Sequence, residues 1–437
     1  MNQISNSRRS FLKHSALAAG GVVAAQSVVA RTAHAAGSDA LKFALIGCGG
    51  RGTGAASDCL NAAKILGQQV KLVAVADAFE DRANNSLNNL KKEWSAEIDV
   101  PDERKFVGLD ASQKALDCGV DMVVMASPPG FRPEQYAAAV KAGKHVFMEK
   151  PCCTDAPGFR ELVKANEMAD EKNLKVVVGL QRHHQAGYIQ GIQEIHDGKL
   201  GEIQFMRVYW NGSGGGARDL GPREQNDPKE MEFQIRNWGC FRWLYGDNIV
   251  EQHVHNIDIA NWVLAKDGDP RTGHPVEANG MGGRVNRGNY GDIFDHHFVE
   301  YTYDGGTKVF SQSRHQPGTW DQVNEFAHGT KGSRGVAVGG GPQLESGNPY
   351  VQEHVALIKA ILGDKKLNEG WHAAMSSMTA VLGRMATYSG QVVKWDEAIE
   401  QGPQESPERI AWDAKPRSLP GEDGFYPFMI PGIYKAY

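Results

Sequence analysis

The chain has 437 residues, 41% hydrophobic and 23% charged, a balance that excludes a mostly disordered chain and a polytopic membrane protein. Formal charge is −5. The first 35 residues carry Arg8, Arg9, Lys13 and Arg31 and no acid, so the remainder holds 43 basic against 52 acidic groups, or −9, which argues against a nucleic-acid binder. The length suits two to three domains. The 51 glycines follow no collagen-like period and point to tight turns and close backbone approach to a ligand. The six cysteines, 48, 59, 118, 152, 153 and 240, are too few for a disulfide scaffold and are expected to be reduced.

Residues 1–35 read as an export address. Ser7-Arg8-Arg9-Ser10-Phe11-Leu12-Lys13 precedes a Gly/Ala-rich apolar stretch and the small-x-small site Ala33-His34-Ala35, as in a signal peptide. The pattern resembles a twin-arginine signal, which implies a periplasmic or otherwise exported protein. The apolar stretch is too short and mild for a stable membrane span. That route exports folded proteins, which suits one that collects a cofactor in the cytoplasm.

Next comes a nucleotide-binding pattern. Residues 41–46 form a short apolar strand running into Gly47-Cys48-Gly49-Gly50-Arg51-Gly52, with a helix predicted through Leu66. Gly47 permits the tight turn, Gly49 the approach of a pyrophosphate, and Gly52 close packing of helix on strand; the helix N-terminus supplies free N–H groups. A second strand, 70–76, ends in Asp77, which can accept hydrogen bonds from a ribose diol and favours NAD over NADP; a helix N-cap is its other reading. Strand 121–126 ends at Ser127-Pro128-Pro129, helix 133–142 follows, and strand 145–148 ends at Glu149-Lys150-Pro151. This alternation predicts a parallel doubly wound sheet, with ligands at the carboxyl ends of its strands.

The succession Gly-x-Gly-x-x-Gly, acidic strand end, Ser-Pro-Pro, Ala-Gly-Lys-His-Val and Glu-Lys-Pro resembles the Gfo/Idh/MocA oxidoreductase family, specifically over residues 41–151 and diffusely beyond. The resemblance implies cofactor contacts from Gly47, Gly49, Gly50, Gly52, Asp77, Ser127, Pro128, Glu149 and Lys150, with NAD as the cofactor and NADP left open. It places Lys150 beside the nicotinamide and the substrate hydroxyl. Arg132 stands where the family often has His.

In the second half, a strand over 175–179 leads to Gln181-Arg182-His183-His184, which the resemblance turns toward the substrate; Arg182 and His183 are candidate binders, and a polar helix-starting loop is the alternative. Trp210 and Trp238 could stack on a sugar ring. A helix is predicted over 249–264, with Glu251, His255 and Asp258 on one face. The resemblance makes His255 the general acid/base and Asp258 the second acid, with Glu251 replacing the usual Asp. Removing hydride from a carbinol requires a base for the hydroxyl proton and a cation for the developing alkoxide; His255 and Lys150 supply them. A metal site built from His253, His255 and Asp258 or from the pairs His183-His184 and His296-His297 is the rival reading. Two histidines two apart diverge on a helix and no pair has zinc spacing to a Cys, so no metal is expected.

Strand character over 203–209, 276–285, 293–303 and 307–315 predicts an open, largely antiparallel sheet. Gly212 to Pro228 reads as an insertion that covers the site or reaches a partner. Helices over 351–362 and 371–389 are expected near the interdomain cleft. The expected architecture is α/β: a signal peptide (1–35), an N-terminal Rossmann domain (36–151), a C-terminal α+β substrate domain (152–400) and a Pro/aromatic-rich tail (401–437) wrapping a surface or a second subunit of a homo-oligomer. The leading reading is an NAD-dependent oxidoreductase acting on a hydroxyl of a sugar, polyol or glycoside. A glycosidase using transient oxidation, elimination and re-reduction with retained NAD is the alternative, with a paired-substrate oxidoreductase beside it. A non-catalytic carbohydrate-binding protein is the third.

Overall fold

The computed structural model describes residues 40–212, 217–286 and 288–437; the export signal expected over residues 1–35 lies outside them. The first sheet has six parallel strands in the order β3-β2-β1-β4-β5-β6: β1 Leu41–Ile46, β2 Val70–Asp77, β3 Lys105–Val107, β4 Met122–Met125, β5 His145–Met148 and β6 Val176–Val178. The central strands are almost wholly buried apolar runs, as a sheet covered on both faces requires. The sheet continues through β6, beyond residue 151 where the nucleotide domain was expected to end, because the amphipathic Ala156–Glu171 helix supplies one more crossover.

The second sheet has seven strands in the order β12-β11-β7-β10-β9-β8-β13: β7 Ile203–Gly212, β8 Pro275–Gly283, β9 His296–Tyr303, β10 Lys308–His315, β11 Gln322–Gly329, β12 Gly332–Gly335 and β13 Val393–Lys394. Only β7 and β10 pair in parallel, so the sheet is largely antiparallel. Strict alternation of buried and half-buried residues along β9 and β10 marks one covered face. The Val254–Leu264 and Gly370–Ser389 helices cover it. The other face carries half-buried Phe205, Phe298, Phe310 and Phe326, with Phe205 edge-on to Phe310 and Arg207 over Phe326.

Two late segments return to the nucleotide domain. The Pro349–Leu362 helix packs on the Gly50–Leu66 helix, joining Val351, Val355, Leu357 and Ile358 to the core of β1 and β2. The tail is tied down by Glu405, which pairs with Arg242 at 2.7 Å and Arg384 at 3.2 Å, and by Tyr426, which donates to Glu230 at 2.5 Å. It therefore wraps its own subunit. The described part of the expected insertion also folds back: Arg218 donates to Asn237 and the Leu220 amide to the Asn289 carbonyl. All six cysteines are free, five of them buried.

Candidate active site

A cleft of about 860 Å³ runs from the glycine loop to the start of the Val254–Leu264 helix. Its first wall is the β1 turn. Gly47 has φ +89°, and a Cβ on Gly52 would stand 1.9 Å from the Gly47 carbonyl oxygen, so both positions require glycine. Gly49 and Gly50 have nothing within 4 Å of an added Cβ: they face open space where a diphosphate can lie against the backbone. No side chain caps the Gly50–Leu66 helix, so its amide dipoles point at that space. These features fit a dinucleotide.

Asp77, at the end of β2, is half-buried and accepts hydrogen bonds from the Cys48 amide at 2.7 Å and the Phe79 amide at 2.9 Å. It thus clamps the glycine loop while lining the cleft. Burial raises its pKa. Arg82, Asn85, Ser86 and Asn89 from the Glu80–Glu93 helix line the same end.

Arg51, inside the glycine motif, donates from Nε to Glu149 and pairs with Asp58 at 3.2 Å and Glu353 at 3.7 Å. The ring of Tyr350 lies 5.0 Å from its guanidinium carbon. Sequence reading did not single out Arg51 or Tyr350, since both acquire their partners through long-range packing that leaves no local pattern.

The chemistry-bearing end lies where β5 runs out. Lys150 Nζ donates to the Glu251 carbonyl oxygen at 2.6 Å and to Glu251 Oε1 at 3.0 Å. His255 lines the cleft with them, only 7% exposed. Burial, then the nearby Lys150 cation, holds its pKa well below that of an ordinary imidazole, so it is neutral at pH 7. Its Nδ1 is buried with no partner among the described residues. Trp210 lies parallel to the His255 ring, centroids 5.8 Å apart, and Trp238 faces the cleft from Trp238–Cys240. Arg132, also on the cleft, is buried, donates to the Pro151 carbonyl at 2.5 Å and has an unpartnered Nε. It supports the segment that carries Lys150. Gln252, at the cleft edge, meets His315 Nε2 at 2.6 Å through its side-chain oxygen.

The structure therefore gathers Gly47, Gly49, Gly50, Gly52, Asp77, Ser127, Pro128, Glu149, Lys150, Trp210, Trp238, Glu251 and His255 around one cleft. It turns Asp258, Arg182 and His183 elsewhere. The helix expected over 249–264 is broken: Asn248–Glu251 stops, and Val254–Leu264 starts after Gln252 and His253. Asp258 is 1% exposed and accepts from His183 Nε2 at 2.7 Å and Ser376 Oγ at 2.9 Å. Arg182 is paired with buried Glu325 and lies over Tyr188. Three histidines of the rival metal reading are engaged separately: His253 Nε2 with Ser311 Oγ, His296 Nδ1 with Asp295, and His297 Nδ1 with Thr387 Oγ1.

Residues 41–180 match the Gfo/Idh/MocA model, described as an oxidoreductase family with an NAD-binding Rossmann fold; this part of the chain is similar to that family's nucleotide domain. An inositol 2-dehydrogenase/D-chiro-inositol 3-dehydrogenase of Halalkalibacterium halodurans is 32% identical over 225 residues, 51% of this chain and 53% of that protein. An inositol 2-dehydrogenase of Rhizobium meliloti is 25% identical over 297 residues, 67% of this chain and 74% of that protein. The chain thus spans about half the length of the first of these relatives. Among solved structures, the aldose-aldose oxidoreductase of Caulobacter crescentus complexed with glycerol has TM-score 0.61 at 17% identity, covering 82% of this chain and 100% of that one. The scyllo-inositol dehydrogenase of Lactobacillus casei with NAD(H) and scyllo-inositol has TM-score 0.59 at 19% identity, with the same coverage. At these identities the two structures establish the shared fold.

Proposed function

We propose that this chain, with its Gfo/Idh/MocA-like nucleotide domain, is an NAD-dependent oxidoreductase acting on a ring hydroxyl of a sugar, polyol or glycoside. The observation that carries this reading is the meeting of Lys150, Glu251 and His255 at the end of a cleft that begins at a dinucleotide-fitting glycine loop. Bound in that cleft, the dinucleotide supplies the hydride acceptor. Lys150, anchored by two oxygens of Glu251, presents its ammonium to the substrate oxygen and stabilises the charge that develops there. His255 enters the reaction neutral and takes the hydroxyl proton. The Trp210 and Trp238 indoles offer flat apolar surfaces to the C–H faces of a sugar ring. The inositol dehydrogenases among the similar proteins support a cyclic polyhydroxylated substrate.

Purified protein is to be incubated with NAD and a panel of inositols, free sugars and aryl glycosides, following NADH absorbance and nitrophenol release. NADH formation with an inositol or a sugar supports the dehydrogenase. Nitrophenol release without net NADH formation sinks it in favour of a glycosidase that retains NAD, a reading motivated by the export signal, since an exported enzyme lacks an obvious supply of fresh cofactor. Mass spectrometry of protein purified without added cofactor and then denatured tests retention directly.

Export by the twin-arginine route is part of the proposal and rests on the Arg8-Arg9 segment; detection in the periplasm that is lost with an Arg8→Lys/Arg9→Lys variant tests it. Self-association is also part of it, supported by the phenylalanine-bearing face of the seven-stranded sheet. Light scattering should give more than one chain per particle, and Phe310→Glu should shift the mass to one chain.

A further inference from the structure

Away from the cleft, three segments converge on a group that the reaction does not use. His183 follows β6, Asp258 lies on the Val254–Leu264 helix, and His372 is in the first turn of the Gly370–Ser389 helix. One ligand atom from each falls within 4.8 Å of the other two. We propose that His183, His372 and Asp258 form a binding site for a divalent transition-metal ion such as zinc, distinct from the catalytic cleft and independent of the function proposed above.

The donor set is two imidazoles and one carboxylate, which suits zinc and its first-row neighbours and is unsuited to calcium or magnesium. The carboxylate is already oriented. Ser376 Oγ donates to Asp258 Oδ1 at 2.9 Å and leaves Oδ2 facing His183 Nε2 at 2.7 Å, the kind of outer contact that holds a metal-binding carboxylate in place. The His183 ring is fixed as well, stacked on Trp262 with centroids 4.0 Å apart and planes 14° from parallel.

A hydrogen bond alone accounts for His183 and Asp258. It does not account for His372, whose ring centroid lies 4.5 Å from that of His183 and which makes no hydrogen bond among the described residues. An ion about 2.1 Å from each donor needs those donors roughly 3.4 Å apart. The present spacings, 2.7 Å at the His183–Asp258 pair and at most 4.8 Å overall, bracket that value. His372 is half-buried, leaving a side from which an ion and a water ligand can enter.

The test uses tag-free, full-length protein stripped with chelator and titrated with zinc against a chromophoric competitor. One equivalent should bind. His372→Ala should weaken binding by far more than tenfold, and Ser376→Ala, which releases Asp258 Oδ1, by roughly 10- to 100-fold. His328→Ala, on the other face of the second sheet, should change nothing. Cobalt added to the wild-type protein should give visible ligand-field absorption, a readout that needs no variant to fold. Absence of stoichiometric zinc binding, a cobalt sample without such absorption, or equal zinc affinity in wild type and His372→Ala would each overturn the site.

Discussion

Lys150 and Glu251 stand 101 residues apart in the chain and meet twice, once at the Glu251 carbonyl oxygen (2.6 Å) and once at its carboxylate (3.0 Å). The main-chain contact holds the ammonium whatever side chain occupies position 251; only the second contact depends on glutamate. The two residues should therefore respond unequally to substitution. Lys150→Met removes the cation itself and should lower kcat by about 10²–10⁴-fold. Glu251→Gln keeps the carbonyl acceptor and loses one charge-assisted contact, which should lower kcat by about 10- to 100-fold. Glu251→Gln should bind NAD as the wild type does, measured by fluorescence titration. Equal losses in the two variants would mean that the carboxylate, and not the main-chain oxygen, does most of the positioning.

The glycine loop separates a packing role from a binding role. A Cβ at Gly52 would overlap the Gly47 carbonyl oxygen, whereas one at Gly49 meets no protein atom within 4 Å. Gly49 has φ −70°, which alanine adopts without strain. Gly52→Ala should thus lose about 1–3 kcal/mol of stability through overpacking together with NAD affinity. Gly49→Ala should keep the wild-type Tm and still bind NAD poorly, because its methyl occupies the space left for the diphosphate. Calorimetry with a parallel NAD titration distinguishes the two; a Tm drop in Gly49→Ala would contradict the assignment.

Which parts of this site could be read in advance follows from the range of the interactions. Gly47, Gly49 and Gly52 announce themselves because the turn, the approach and the helix packing all lie within six residues, and the strands of the first sheet are local apolar runs. Glu251 and His255 were legible through their spacing, although the helix supposed to carry both is interrupted at Gln252 and His253. That interruption had no signal, since neither residue is a helix breaker. Asp258 shows the limit of periodicity. Three residues advance 300° around a helix, and the remaining 60° is enough to turn its carboxylate to His183 and Ser376. Arg182 is turned away from the cleft for a related reason. Its partner Glu325 lies 143 residues on, and nothing local distinguishes a buried ion pair from a substrate-facing guanidinium.

That pair makes its own prediction. Arg182 is paired with fully buried Glu325, which also accepts hydrogen bonds from Asn256 and from Tyr188 at 2.8 Å. Removing the cation strands a carboxylate in the core, so Arg182→Ala should cost about 3–5 kcal/mol of stability. Because Arg182 does not line the cleft, KM of the surviving folded enzyme should change little. A large KM increase without a fall in the urea midpoint would return Arg182 to the substrate.

Buried histidines of opposite character allow the pH dependence of folding to be divided by residue. Burial pushes the pKa of His253 down to about 3; for His183 burial is again the largest single effect, but the charge and hydrogen bond of Asp258, with the charge of Glu369, together outweigh it and raise the pKa. For His253, both states are neutral above the unfolded value of about 6.5, so it contributes no pH dependence there. Below that value the unfolded chain takes up a proton that the folded chain refuses, and stability falls by about 1.4 kcal/mol per pH unit. His183 has the reverse sign: its ion pair contributes fully below about 6.5 and is lost as pH rises through its higher folded value. Urea unfolding in EDTA at pH 7.5, 6.5 and 5.0 should therefore show two trends. The stability gap between wild type and His253→Gln should narrow by about 2 kcal/mol between pH 6.5 and 5.0. The gap between wild type and His183→Asn should widen from pH 7.5 down to 6.5 and then level off. A His183 gap that shrinks as the solution is acidified would mean that the Asp258 contact holds a neutral ring, which would give His183 the same sign as His253.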